Sequence, residues 1–147
     1  MKNMTEKERQ EVCKKAFQNF GAGFHCAETV ATAALAAMGE DPSEATAHAT
    51  AFGGGFGRTR LEACGALSGA LIAIGHLYGR RSPGGPWDRP ARLGAEIHRR
   101  FLEEYGTTRC ETLCDRFGKE NQAAECKELT KAVTAKLLAI LAASSED

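Results

Sequence analysis

The chain has 147 residues, 43% of them hydrophobic and 26% charged, the balance of a soluble globular chain rather than a disordered one. At 15.7 kDa it has the size of one ordinary domain, and a single domain over residues 1–147 is expected. Nineteen Lys and Arg offset nineteen Asp and Glu, which argues against a basic nucleic-acid-binding face or an acidic tail.

Met1–Lys15 has no apolar run after its first lysine, so no secretory signal is expected. Alanine is abundant while valine occurs only at 12, 30 and 133, and no stretch alternates cleanly between apolar and polar residues; helices are expected throughout. The first is predicted from Thr5 to Phe20, with Thr5 and Glu8 as a capping box and Val12, Cys13, Ala16, Phe17 and Phe20 on one face. Gly21-Ala22-Gly23 ends it. The second runs from near His25 to Met38 and is stopped by Gly39-Glu40-Asp41-Pro42. A short third covers Ser43 to about Phe52, and Gly53–Gly57 is a loop.

The fourth helix is predicted over Leu61–Tyr78 and is the most apolar. The uncharged stretch Ala63–Gly79 is borderline for a membrane span, which needs roughly 17–25 mostly apolar residues. It holds Cys64, Ser68, His76 and four glycines, so a buried helix is expected, with no membrane insertion. After the turn-rich 79–88 connection, where Trp87 is a cover over the core or a partner contact, Asp88 caps a fifth helix. Its stripe is Leu93, Ile97, Phe101 and Tyr105. A segment carrying Cys110 and Cys114 follows. The last helix starts near Gln122 and buries Leu129, Val133, Leu137, Ile140 and Leu141, with a frayed 144–147 tail. The expected fold is an all-α single-domain bundle of about five to six helices with no sheet.

Six cysteines are present: Cys13, Cys26, Cys64, Cys110, Cys114 and Cys126. In a chain without export they are metal ligands, catalytic thiols or core residues more often than disulfides, and a cytoplasmic location is expected. Cys13 belongs to the apolar stripe of the first helix and reads as core. Cys26 opens the second helix and Cys64 falls in the first turn of the fourth, where the exposed N–H groups favour a thiolate. Gly65 and Gly69 share one face of that helix. Two helical glycines cost about 2 kcal/mol relative to alanine, a cost that fits close approach of another backbone or a cofactor.

Cys64-Gly65-Ala66-Leu67-Ser68-Gly69 fits a Cys-Gly-Ala-x-x-Gly signature, and the chain resembles the C-GCAxxG-C-C family of redox-active proteins in it. The resemblance extends to length, helical pattern and four recurrent cysteines. Matched here, these are Cys26 (in Phe24-His25-Cys26-Ala27-Glu28), Cys64, Cys110 (in Gly106-Thr107-Thr108-Arg109-Cys110) and Cys126 (in Cys126-Lys127-Glu128-Leu129). The Gly53–Gly57 loop also looks like the family. His25 stands where Asn is common, Lys127 where Pro is common, and Cys13 and Cys114 are additional.

The four matched cysteines lie 38, 46 and 16 positions apart. No two form a C-x-x-C, which disfavours a thioredoxin-like motif and a sequence-local zinc knuckle. Four thiolates brought together by a complete fold suit an iron–sulfur cluster or zinc. The leading expectation is therefore an iron–sulfur cluster held by Cys26, Cys64, Cys110 and Cys126 for electron transfer to a redox partner protein. The alternatives are a cofactor-free thiol/disulfide oxidoreductase, in which those four are the redox thiol candidates, and a structural zinc or interaction module. A homodimer is one candidate assembly.

Cys110 and Cys114, at i and i+4 on a helix, share a face and could be a redox pair, alternate ligands or simply include a part-buried thiol. His25 reads as a surface or capping residue, and His48, His76 and His98 as ordinary surface or interface residues. Gly53–Gly57 lacks the Gly-Lys-Ser/Thr ending and the preceding strand of a nucleotide loop. Arg58 and Arg60 could hold an anion, screen a thiolate site or simply be solvated.

Overall fold

The computed structural model describes residues 5–18, 20 and 23–144. Among them are seven α-helices: α1 Glu6–Phe17, α2 Cys26–Ala37, α3 Ser43–Ala49, α4 Gly65–Tyr78, α5 Asp88–Tyr105, α6 Cys110–Phe117 and α7 Gln122–Ser144. A single 3₁₀ turn at Thr50–Phe52 follows α3. The described residues form no sheet, only isolated bridges at Phe20–Phe24 and Ala63–Arg109. The all-α expectation holds, and the helix count rises to seven because the Cys110–Cys114 segment is itself a helix.

The α1 capping box forms, with Thr5 N–H donating to Glu8 (2.7 Å) and Glu8 N–H to the Thr5 hydroxyl (3.2 Å). The helix ends at Phe17, three residues before the predicted end. The predicted Gly21-Ala22-Gly23 stop lies partly outside the described residues.

α2 is buried along most of its length, through Ala27, Val30, Ala31, Ala33, Ala34, Leu35 and Ala37. Small side chains let α4 come close. A Cβ on Gly69 would collide with the Ala27 carbonyl and lie 3.0 Å from its Cα. The predicted close approach is thus met by the backbone of α2.

The apolar stripes of α5 and α7 close the core. Leu93, Ile97, Phe101, Val133, Leu137 and Leu141 are each at most 1% exposed. Trp87, not Asp88, occupies the cap position of α5; it is 63% exposed and lies under the Arg80 guanidinium. Ser144, expected in a frayed tail, is buried in the last turn of α7, and its carbonyl accepts a bond from Arg89 (2.9 Å).

Two irregular segments position the site. Gly54, Gly55, Phe56, Gly57 and Arg58 all have φ between 60° and 68°, a left-handed turn closed by Gly57 N–H to Ala51 O (2.8 Å) and Arg60 N–H to Gly54 O (2.9 Å). Left-handed backbone costs a non-glycine residue roughly 1–2 kcal/mol, so Phe56, Arg58 and Arg60 (φ 63°) are held there by the surrounding bonds. Gly55 must lack a side chain, since a Cβ would come within 2.6 Å of Cys110 Cβ.

The chain then runs antiparallel to the stretch before α6. Cys64 N–H donates to Thr108 O (2.6 Å), Cys110 N–H to Glu62 O (2.9 Å) and Glu111 N–H to Arg60 O (2.8 Å). This short ladder sets the start of α4 beside the start of α6.

Candidate functional site: a cysteine-lined cavity

Cys26 is the first residue of α2 and Cys110 the first of α6, while Cys126 lies near the start of α7. Cys64 is the cap residue before α4 rather than a member of its first turn, because its N–H is bonded to Thr108 O in the ladder. Its carbonyl opens the helix by accepting from Leu67 (3.1 Å) and Ser68 (3.2 Å). Four cysteines distant in sequence thus line one cavity of about 650 Å³.

Cys114 lines it too, with its sulfur 3.9 Å from that of Cys110. Cys13 does not. It is half-buried rather than core and faces a groove between α1 and α7, beside Phe17 and Leu138. All six cysteines are free thiols.

The remaining wall is apolar, neutral polar (Thr50, Gln122, Thr130) or basic. Phe20, Leu113, Phe117 and Leu129 contribute apolar surface, and His25, Arg58 and Arg60 line the cavity without any Asp or Glu among its lining residues. His25 caps α2, as expected from its position before Cys26.

A feature missed in the sequence fixes this end of α2. The buried Glu28 carboxylate accepts from His25 N–H (3.1 Å) and from the Thr50 hydroxyl (3.0 Å), tying the start of α2 to the turn before the left-handed segment. The signal was the spacing from cap to third helical residue, obscured because His25 is not a usual capping type. Gly55 and Thr108 were missed as well, since their roles depend on pairing between segments far apart in sequence.

Three of the cavity thiols, Cys64, Cys110 and Cys126, are pushed toward the protonated form. Burial pushes the Cys64 thiol up to about 12, with Cys26 and Cys110 adding to the rise, while the N–H groups of Ala66 and Leu67 act the other way. The expected thiolate preference at the helix start is thus overturned: removing a charge from water outweighs the partial charge of a helix end. Burial also raises Cys110 and Cys126, each further raised by Cys114, and Arg60 partly opposes the rise at Cys110. As the thiols stand, no three His, Cys, Asp or Glu side chains among the described residues are set to share one metal ion. No helix among the described residues is long and apolar enough to cross a membrane.

No curated protein and no solved structure matches the chain. Residues 24–140 match the family described as Putative redox-active protein (C_GCAxxG_C_C), a span that takes in every cavity cysteine and leaves out Cys13. With the signature cysteine at the mouth of α4 and its glycines pressed against α2, this chain belongs to the C_GCAxxG_C_C family of putative redox-active proteins.

Proposed function

We propose that Cys26, Cys64, Cys110 and Cys126 hold an iron–sulfur cluster through which the protein passes electrons to a partner protein. The observation that carries this reading is the gathering of four sulfur donors from four separate segments around one cavity, with no carboxylate in its lining. An all-sulfur donor set suits iron–sulfur clusters or zinc. A single zinc ion needs every sulfur within about 2.3 Å of one point, so these thiols would have to move inward. A cluster spreads its ligands over several metal ions and suits a cavity of about 650 Å³ better.

Such a group supplies reversible one-electron transfer. The chain supplies the rest. Each cysteine gives up its proton on ligation, since a bound cation reverses the local preference for the neutral thiol. Arg58 and Arg60, together with the N–H groups at the start of α4, offset the negative charge that four thiolates bring. Phe20, Leu113 and Phe117 limit access of water.

The rival reading makes Cys64 an attacking thiol that a second cysteine resolves. Purification without oxygen tests the choice. Broad absorbance between roughly 320 and 450 nm with matching iron and sulfide supports the cluster. A colourless protein rich in zinc, or a metal-free one with a fast-reacting thiol, would refute it.

A further inference from the structure

Cys114 stands outside the four cysteines that define the site, yet its sulfur is near contact distance of that of Cys110, 3.9 Å away. We propose that Cys110 and Cys114 form a reversible dithiol–disulfide couple within the cavity, oxidised by exchange with low-molecular-weight disulfides. Both are buried, both line the cavity, and their sulfurs are 3.9 Å apart. Four residues apart on α6, their Cα atoms are separated by about 6 Å from helix geometry, inside the span of about 4.4–6.8 Å that a disulfide bridges.

Their Cβ atoms, about 5–6 Å apart at this helical spacing, must also close to the roughly 3.5–4.5 Å of a disulfide, which asks for side-chain rotation and a local tightening of one eight-residue helix, not displacement of one element against another. Cys110 is the anchored member: its N–H is bonded to Glu62 O and its Cβ packs on Gly55. Cys114 sits one turn further on, near the Gly118 stop (φ 80°), where a short helix adjusts most easily. The competing pair, Cys114 with Cys126, would join two helices.

The chemistry balances with the disulfide as oxidant. One cysteine sulfur attacks it, losing its proton; the mixed disulfide forms and the first small thiol leaves, taking up a proton. The second cysteine sulfur then attacks the protein-bound sulfur of that mixed disulfide, loses its proton in turn, and expels the second small thiol. Two protein thiols are oxidised and one small disulfide is reduced to two thiols. A Cys110 bonded to Cys114 has no lone thiolate to offer a metal, so the couple would gate loading of the site. Only this consequence rests on the function proposed above.

The experiment uses the full-length protein, reduced and metal-free, equilibrated under native conditions with 2-hydroxyethyl disulfide. Remaining thiols are then alkylated in acid and the protein is digested with trypsin. Cleavage after Arg109 and Arg116 yields a peptide, 110–116, that contains Cys110 and Cys114 and no other cysteine. The expected result is that this peptide becomes two hydrogens lighter and carries no adduct. Cys126→Ser should leave that product unchanged. Cys114→Ser should abolish it and leave Cys110 as an alkylated thiol or a mixed disulfide. A 110–116 peptide that is joined to the Cys126 peptide, that carries two small-thiol adducts, or that stays fully alkylated would overturn the proposal. Because no metal is present, the result is independent of whether the site holds a cluster.

Discussion

The Cys26 sulfur occupies the space in which a side chain on Gly65 would begin. The signature glycine and a cysteine nearly forty residues away are therefore one structural unit. Four residues further along α4, Gly69 does the same for the Ala27 carbonyl. The two contacts place the start of α2 against the start of α4 and aim Cys26 into the cavity.

The glycines of α4 separate into two kinds. Gly69→Ala drives a methyl into the backbone of α2, which cannot swing aside, and should destabilise the protein by about 1–3 kcal/mol. Gly75, in the same helix, faces open space: beyond its chain neighbours and its own helix's backbone, an added Cβ would have no heavy atom within 4 Å. Gly75→Ala should therefore stabilise by up to about 1 kcal/mol through helix propensity. Gly65→Ala meets chiefly the Cys26 sulfur, so it should disturb the site more than the fold. Urea unfolding of the three variants reads the signs, and a stabilised Gly69→Ala would contradict the close packing of α2 on α4.

That glycine pair was legible in the sequence, as were the α5 and α7 stripes, because helical spacing and helix cost are local properties. Cys26, Cys64, Cys110 and Cys126 were legible only through family resemblance, since their gathering depends on tertiary pairing. The left-handed turn at 54–58 was not legible: Phe56 and Arg58 adopt φ values that their own side chains disfavour. The state of Cys64 was misread because helix-end geometry can be inferred from sequence, whereas burial among other thiols cannot. Cys13 was read as core from its place on the α1 stripe, yet that stretch of α1 borders an open groove.

The cavity cysteines and Cys13 should behave differently on replacement. Cys26, Cys64, Cys110 and Cys126 changed singly to Ser should each lower the iron content of anaerobically purified protein by at least several-fold. Cys13→Ala removes a half-buried thiol in the α1–α7 groove and should leave iron content unchanged. Iron and sulfide analysis on each variant checks this. Loss of iron in Cys13→Ala with retention in Cys26→Ser would reverse the assignment.

Arg89 fastens the far end of the bundle. Its guanidinium donates to the Ser144 carbonyl (2.9 Å) and hydroxyl (3.3 Å) and lies 3.9 Å over the Tyr78 ring, joining the start of α5 to the ends of α7 and α4. A charged donor to the exposed carbonyls of a helix end is favourable, but the buried Nε lacks a partner, which offsets part of the gain. Arg89→Ala should cost about 1–2 kcal/mol. Arg89→Lys should recover only part of this, because an ammonium lacks the planar face that stacks on Tyr78. Neither change should alter iron content, as Arg89 does not line the cavity. Thermal unfolding and metal analysis test both statements.

The raised Cys64 thiol makes a prediction about pH with a definite sign. In the unfolded chain a thiol titrates near 8.5, whereas in the folded protein burial holds Cys64 at about 12. Between these values the folded state binds more protons than the unfolded state, so stability falls as pH rises. The contribution is fully present below about pH 8.5 and is lost progressively toward about pH 12, with a slope of up to roughly 1.4 kcal/mol per pH unit for one fully buried group. Metal-free, reduced protein should show urea midpoints that decline from about pH 8 to about pH 10. Serine does not titrate in this range, so Cys64→Ser should give a flatter decline. A protein with its redox group bound should reverse the trend, losing the group as falling pH returns protons to the ligands. A metal-free midpoint that stays level across this range, or a Cys64→Ser decline as steep as the parent's, would show that the Cys64 thiol is not held in the neutral form by its burial.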